Sequence, residues 1–288
     1  MTKTGSMPYA AGNIEYGLCQ ALHCEETAVA ILASQCGRDP VTPALLAFAG
    51  ETRGFLPTCC GNCRDILLDT FGPDFEIICG GRDSNVAIVS TLRAQLNNEF
   101  AICTVTPNDN QIVQDMVTIC DRITYDPYSP PSLFANRKYH AALFTEKAVY
   151  YGTRDLTCDF HAIYAIRDAA RQAQRNVDPF LSHVLIACEE FDKHDGLPSM
   201  PHIMYRDRQH LLELHLQGEL LRGCEYNPEV ILISYVKRTS AGDSMDVQIT
   251  GKWTTNVKAL LPFAFSAKNF GPEFLQSLTK YCKNRATM

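Results

Sequence analysis

The chain has 288 residues, 46% hydrophobic and 20% charged, which is length and apolar content enough for two domains with real cores. Its formal net charge is −6, so it lacks the broad basic field that phosphate backbones attract, and no nucleic-acid polymer is expected as a partner. No stretch reaches the length of a membrane span, and Met1 to Ala11 holds no apolar run of signal-peptide length. The cysteines number 13, an odd count without framework spacing. These features predict a cytoplasmic protein with reduced thiols and no membrane partner, in which a few cysteines serve as metal ligands.

In chain order, Glu25 to Ser34 reads as a helix start followed by a small, apolar, helix-compatible run, stopped by Gly37 and Pro40. Arg64 to Phe71 reads as a second helix, with Ile66, Leu67 and Phe71 at helical spacing and Gly72-Pro73 as its stop. Phe75 to Cys79 and Val86 to Val89 are predicted as short strands around Gly80-Gly81, and Thr91 to Leu96 as a helix. Gln111 to Ile123 reads as a connecting helix before the turn-rich Asp126 to Pro131. The same order then repeats. Strands are predicted over His140 to Thr145 and Ala148 to Gly152, a helix rich in Ala and Arg over His161 to Gln174, and a strand over Ser182 to Cys188. A helix over Arg208 to Leu216 precedes strands over Val230 to Tyr235 and Val247 to Thr250. Strands alternating with helices predict an α/β fold. The boundary between the halves falls near residue 108.

The chemistry is concentrated in His23-Cys24-Glu25 and Cys60-Gly61-Asn62-Cys63. His23, Cys60 and Cys63 supply an imidazole and two thiolates, the donor types that suit zinc. Cysteines at i and i+3 on a helix start place both sulfurs on one side of a turn, where the helix dipole favours their negative charge. Three protein ligands leave a fourth position for water, which is the mark of a catalytic rather than a structural zinc site. Glu25 is then the candidate general acid and base, while Glu26 suits an ordinary helix N-terminal carboxylate. Cys24-Glu25-Glu26 offers a second frame, Cys-x-Glu, and Cys59 sits beside Cys60. Asn13 and Glu15 alternate on a predicted strand and share a face, where amide and carboxylate groups suit sugar hydroxyls.

Together these motifs resemble the cytidine deaminase family. Gly12-Asn13-Ile14-Glu15 looks like the strand end that holds the nucleoside sugar. His23-Cys24-Glu25-Glu26-Thr27-Ala28 looks like the zinc-and-catalysis helix, and Cys60-Gly61-Asn62-Cys63-Arg64 like the second metal-binding helix start. Thr91 to Leu96 resembles the helix after the last strands. In the second half, Asp126-Pro127-Tyr128-Ser129 is similar to the family's opening segment and Leu260 to Phe265 to its closing one. His-x-Glu followed by Cys-x-x-Cys is also the general signature of zinc deaminases of nucleobases.

The resemblance implies two cytidine-deaminase-like three-layer α/β/α domains, each a mostly mixed sheet flanked by helices. Residues 1–108 would form the catalytic domain, shortened at its start, and residues 109–288 a degenerate one. In that second half Ile163 stands where the catalytic Glu should be, and His202 and Tyr205 where the two Cys ligands should be. The expected activity is zinc-dependent (Zn2+) hydrolytic deamination of a cytidine-type nucleoside to the uridine-type product plus ammonia. Glu25 would be catalytic, Asn13 and Glu15 would bind substrate, and His23, Cys60 and Cys63 would hold the metal. The resemblance further implies a homodimer acting on a small nucleoside. Two alternatives stand beside this reading: a deaminase of a modified or antibiotic cytosine nucleoside, and a zinc-stabilised protein that binds a nucleoside without converting it.

Overall fold

A computed structural model describes residues 9–16, 20–36, 45–50, 58–81, 85–95, 100–123, 139–153, 155–158, 161–163, 165–190, 201, 203–239, 245–261 and 272–286. The turn-rich segment at 126–131, His202 and the 262–265 stretch lie outside these residues, as do the side chains of Glu15, His161 and Ile163.

In chain order the elements are β1 (Ile14–Tyr16), β2 (Gln20–Leu22), α1 (Cys24–Cys36), β3 (Leu45–Gly50), α2 (Gly61–Phe71), β4 (Glu76–Gly81), β5 (Ala87–Thr91) and α3 (Leu92–Gln95). They continue with β6 (Ala101–Ile102), α4 (Pro107–Ile123), β7 (Tyr139–Thr145), β8 (Val149–Thr153), β9 (Asp155–Cys158), β10 (His161–Ile163) and α5 (Ala165–Arg175). Then come β11 (Leu181–Glu189), α6 (Tyr205–Arg222), β12 (Glu229–Thr239), β13 (Met245–Asn256), α7 (Val257–Leu260) and α8 (Pro272–Ala286). The chain is of the α/β class, with mixed sheets flanked by helices. No described helix is long and apolar enough to cross a membrane.

Two compact units divide the chain. One holds Met1–Asn97, Met204–Gln209 and Leu261–Lys280; the other holds Asn98–Ile203, His210–Leu260 and Tyr281–Met288.

In the first unit β3, β4 and β5 form a three-stranded sheet, parallel between β3 and β4 and antiparallel between β4 and β5. The side chains of β4 alternate, and Ile77 and Cys79 turn inward to meet Cys63 and Leu67 of α2 and Leu92 of α3. Tyr205 and Leu261 complete this core. Leu67 is fully buried; cutting such a side chain back to Ala costs about 2–5 kcal/mol. β1 and β2 make a separate antiparallel pair that leads directly into α1.

The second unit is built on a six-stranded sheet in the order β6-β13-β12-β11-β7-β8, with β11 and β12 parallel and the other neighbours antiparallel. Because successive strand residues face opposite sides, the sheet is apolar on both. Ala141, Leu143, Val184, Ile186, Val230 and Leu232 meet the alanine face of α5 together with Leu211 and Leu214 of α6. Ala142, Leu185, Ala187 and Ile233 meet Val113, Met116, Val117 and Cys120 of α4. The result is three layers. The alanines of α5 have a steric reason: a Cβ on Gly152 of β8 would lie 2.0 Å from the Ala165 carbonyl oxygen, so helix and strand meet backbone to backbone.

Several predicted boundaries move: α2 begins at Gly61 rather than Arg64, α6 spans Tyr205–Arg222 rather than Arg208 to Leu216, and β12 and β13 run on to Thr239 and Asn256. Two further shifts have a local cause. His161 to Ile163 is a strand rather than the first turn of α5, because its backbone pairs across to Asp155–Cys158. α4 begins at Pro107 rather than Gln111. Thr106 and Asp109 form a capping box, in which the Asp109 carboxylate accepts the Thr106 N–H at 2.7 Å, and Pro107 occupies the first helical position.

Candidate metal centre

The start of α1 is fixed by side chains. Glu26 Oε2 accepts the His23 backbone N–H at 2.9 Å, and the Thr27 hydroxyl donates to the His23 carbonyl at 2.9 Å. Asn13 Oδ1 accepts the Cys24 N–H at 2.8 Å, tying the entry of β1 to the helix start. His23, the residue before the first helical turn, is thereby held at its backbone while its ring projects.

The start of α2 is fixed by packing. Cys60 is the N-cap, with extended backbone, and its thiol makes no capping bond, so the sulfur is left for other partners. Gly61 is required there, since a Cβ would lie 2.0 Å from the Tyr205 carbonyl oxygen. Its N–H donates to Gln209 Oε1 at 3.2 Å. One turn on, the buried carboxylate of Asp65 accepts the backbone N–H groups of Tyr205 and Arg206 at 2.9 and 3.0 Å, and the Arg206 Nε at 3.1 Å. The Arg64 side chain, fully buried, donates to the carbonyls of Cys59 and Gln95.

Three side chains converge between these two helix starts. His23 Nδ1 lies 3.1 Å from Cys60 Sγ and 3.2 Å from Cys63 Sγ, and the two sulfurs are 3.6 Å apart. Among the described residues this is the group whose ligand atoms, all within 4.8 Å of one another, can hold a metal ion. The donor set suits zinc. Tetrahedral bonds of about 2.3 Å to sulfur and 2.0–2.1 Å to nitrogen separate ligand atoms by roughly 3.5–3.8 Å. The sulfurs already have that spacing, and the ring needs to move by only a few tenths of an ångström.

Electrostatics within the cluster are consistent with charge separation among its members. The contact with Cys60 raises the His23 imidazole to about 9, against the opposing effect of burial. The Cys60 thiol is lowered to about 5 by its contact with Cys63, again against burial, and by His23. Cys63 is pushed upward by the same contact with Cys60 and by burial. The other thiols nearby are held neutral. Burial, then the Glu25 carboxylate, pushes Cys24 to about 12, and burial raises Cys59 and takes Cys79 to about 11.

Glu25 is buried, only 6% exposed, at the edge of the cluster. Its Oε2 accepts a hydrogen bond from Cys24 Sγ at 3.2 Å and lies 3.5 Å from Cys63 Sγ. A carboxylate in this position can exchange a proton with a water held beside the three converging side chains.

The structure thus brings together His23, Cys60 and Cys63 and sets Glu25 beside them. The sulfur of Cys24, the start of the alternative frame, turns to Glu25 instead of joining the group. Asn13 is exposed, with its carbonyl oxygen on the helix start. Glu15 pairs with Ala21 through its backbone in β1. In the second half, Tyr205 is buried in the core that contains Cys59 and Cys63. Sequence reasoning missed Asn62, whose side-chain amide donates to Glu26 Oε1, and Asp65 and Gln209, which fix the start of α2; only the His23-x-x-Glu26 spacing carried a local capping signal.

Neither a protein-family profile nor a curated protein matches the sequence. Among solved structures, the crystal structure of cytidine deaminase from Burkholderia pseudomallei is similar over 56% of this chain and all of that one, at 23% identity and a TM-score of 0.33.

Proposed function

We propose that the chain is a zinc-dependent hydrolase that deaminates a cytidine-type nucleoside. The observation that carries this reading is the pairing of a three-donor cluster with a buried carboxylate outside the donor set: Glu25 beside His23, Cys60 and Cys63. A purely structural zinc site has four protein ligands and no use for a neighbouring buried acid.

His23, Cys60 and Cys63 would hold the ion. When bound, zinc supplies Lewis-acid chemistry that makes water a nucleophile near neutral pH. Glu25 takes a proton from the attacking water and delivers it to the pyrimidine ring nitrogen. It then carries the second proton of that water to the departing exocyclic amine, so that water and the amino-pyrimidine become the carbonyl product and ammonia. Asn13 and Glu15 are assigned to the sugar, with the Asn13 carbonyl also anchoring α1. On this reading residues 1–108 carry the chemistry and residues 109–288 a supporting, non-catalytic part. A homodimer fits the edge strand β5, where Ile88 and Val89 are 38% and 60% exposed.

The test is ammonia release across a panel of nucleosides by the zinc-loaded protein. Turnover of cytidine or deoxycytidine supports the proposal. Turnover of a modified cytosine nucleoside alone would transfer the activity to that substrate class. Nucleoside binding without any turnover would leave a binding protein and end the proposal.

A further inference from the structure

Glu26 has a different setting from its neighbour Glu25. Both of its carboxylate oxygens are engaged, and by groups from the two helix starts that carry the metal-site side chains. Oε2 accepts the backbone N–H of His23 at 2.9 Å. Oε1 accepts a hydrogen bond from the Asn62 side-chain amide, 36 residues away. Asn62 stands between Cys60 and Cys63 on the first turn of α2. One short side chain therefore joins the backbone that bears the imidazole to the turn that bears both thiols.

We propose that Glu26 is the positioning residue of the three-ligand cluster, acting as a bridge from the His23 backbone to Asn62. The inference rests on the metal-site reading above and deepens it. A capping box needs only the His23 contact. The second oxygen has no part in starting α1, and the group it meets is the residue enclosed by the two cysteines. The imidazole and the sulfurs come from segments distant in sequence, so their spacing depends on whatever fixes one helix start against the other. A carboxylate with one hydrogen bond on each side does this with two charge-assisted contacts of defined direction. Partners that orient metal ligands in this way, without touching the metal, typically matter by about 10–100-fold in metal affinity.

Asn62→Ala separates the bridge from the cap: it removes the contact to α2 and leaves the Glu26 bond to His23 in place. Zinc affinity is measured by chelator competition on the full chain, and cobalt(II) substitution reports the thiolate charge-transfer and d–d bands. Wild type should take up one zinc. Asn62→Ala and Glu26→Ala should each lose at least about tenfold in affinity and shift the cobalt bands. The double variant should be no weaker than the weaker single, because both changes cut one bridge. Unchanged affinity and spectra in Asn62→Ala, in a protein that binds zinc as wild type, would overturn the bridge and leave the metal site standing. Fully additive losses would also overturn it. A wild-type protein that takes up no metal would overturn both the bridge and the reading on which it rests.

Discussion

Glu25 Oε2 lies 3.5 Å from the Cys63 sulfur, yet Glu25 is no member of the converging donor set. On the proposed function, a carboxylate that close to a donor, buried and outside the set, would carry the protons. Glu25→Gln keeps the size and one acceptor but cannot carry a proton. We expect it to retain about one zinc per chain while deamination falls by about 10²–10⁴-fold. Metal analysis and steady-state kinetics on the same preparation check this. Turnover equal to wild type would remove Glu25 from the chemistry.

Metal removal should destabilise the unit that contains the cluster. Binding to the folded state alone adds about 2.7 kcal/mol at a hundredfold excess of free zinc over its dissociation constant. Stripping with a chelator should lower the unfolding midpoint, and adding zinc back should restore it. Cys63→Ser should behave as stripped protein and show no response to zinc. A Cys63→Ser variant with wild-type zinc content would show that the metal is held elsewhere.

The donor set was legible in the sequence because ligand chemistry is local: His23, Cys60 and Cys63 announce themselves by type and by spacing at helix starts. What holds them was not. The partners of Gly61 and Asp65 lie about 140 residues further on, in Tyr205, Arg206 and Gln209, and no short-range pattern encodes such a pairing. In the sequence Tyr205 reads as a position where a ligand is absent; in the structure it is core, 1% exposed. The β3 strand, Leu45–Gly50, went unpredicted because a short apolar run without flanking alternation reads equally as buried helix. The first turn of α4 was within reach, since Thr106-Pro107-Asn108-Asp109 carries the capping-box spacing in plain sight.

Gly61 should tolerate no side chain. The Cβ of an alanine would sit 2.0 Å from the Tyr205 carbonyl oxygen, and backbone cannot give way as a flexible side chain can. Gly61→Ala is expected to cost about 2 kcal/mol or more and to lower zinc affinity, because Cys60 and Cys63 flank the displaced turn. Asp65→Asn probes the same packing without bulk. One of two backbone N–H groups would then face an amide donor in a buried site, at a cost of about 1–3 kcal/mol. Urea unfolding midpoints and zinc competition check both. A Gly61→Ala protein with wild-type stability and zinc affinity would mean that the close approach plays no part in fixing the cluster.

The ion pair at the start of α4 predicts a pH dependence separate from the metal. Lys252 Nζ lies 2.8 and 3.0 Å from the two oxygens of Asp109, which is also held by Thr106. Burial opposes ionisation of Asp109, but the Lys252 and Thr106 hydrogen bonds outweigh it and hold the carboxyl below its ordinary value. A folded-state pKa below the unfolded one stabilises the ionised form. The contribution is therefore fully present above the unfolded value, near 3.9, and is lost as pH falls through the lower folded value. Asp109→Asn should be less stable than wild type by about 1–2 kcal/mol at neutral pH. That difference should shrink below about pH 4, as the wild-type carboxyl itself becomes neutral. Urea titrations of both proteins over this range measure it. A difference that stayed constant into the acid limb would assign the whole loss to capping geometry and none to the charge.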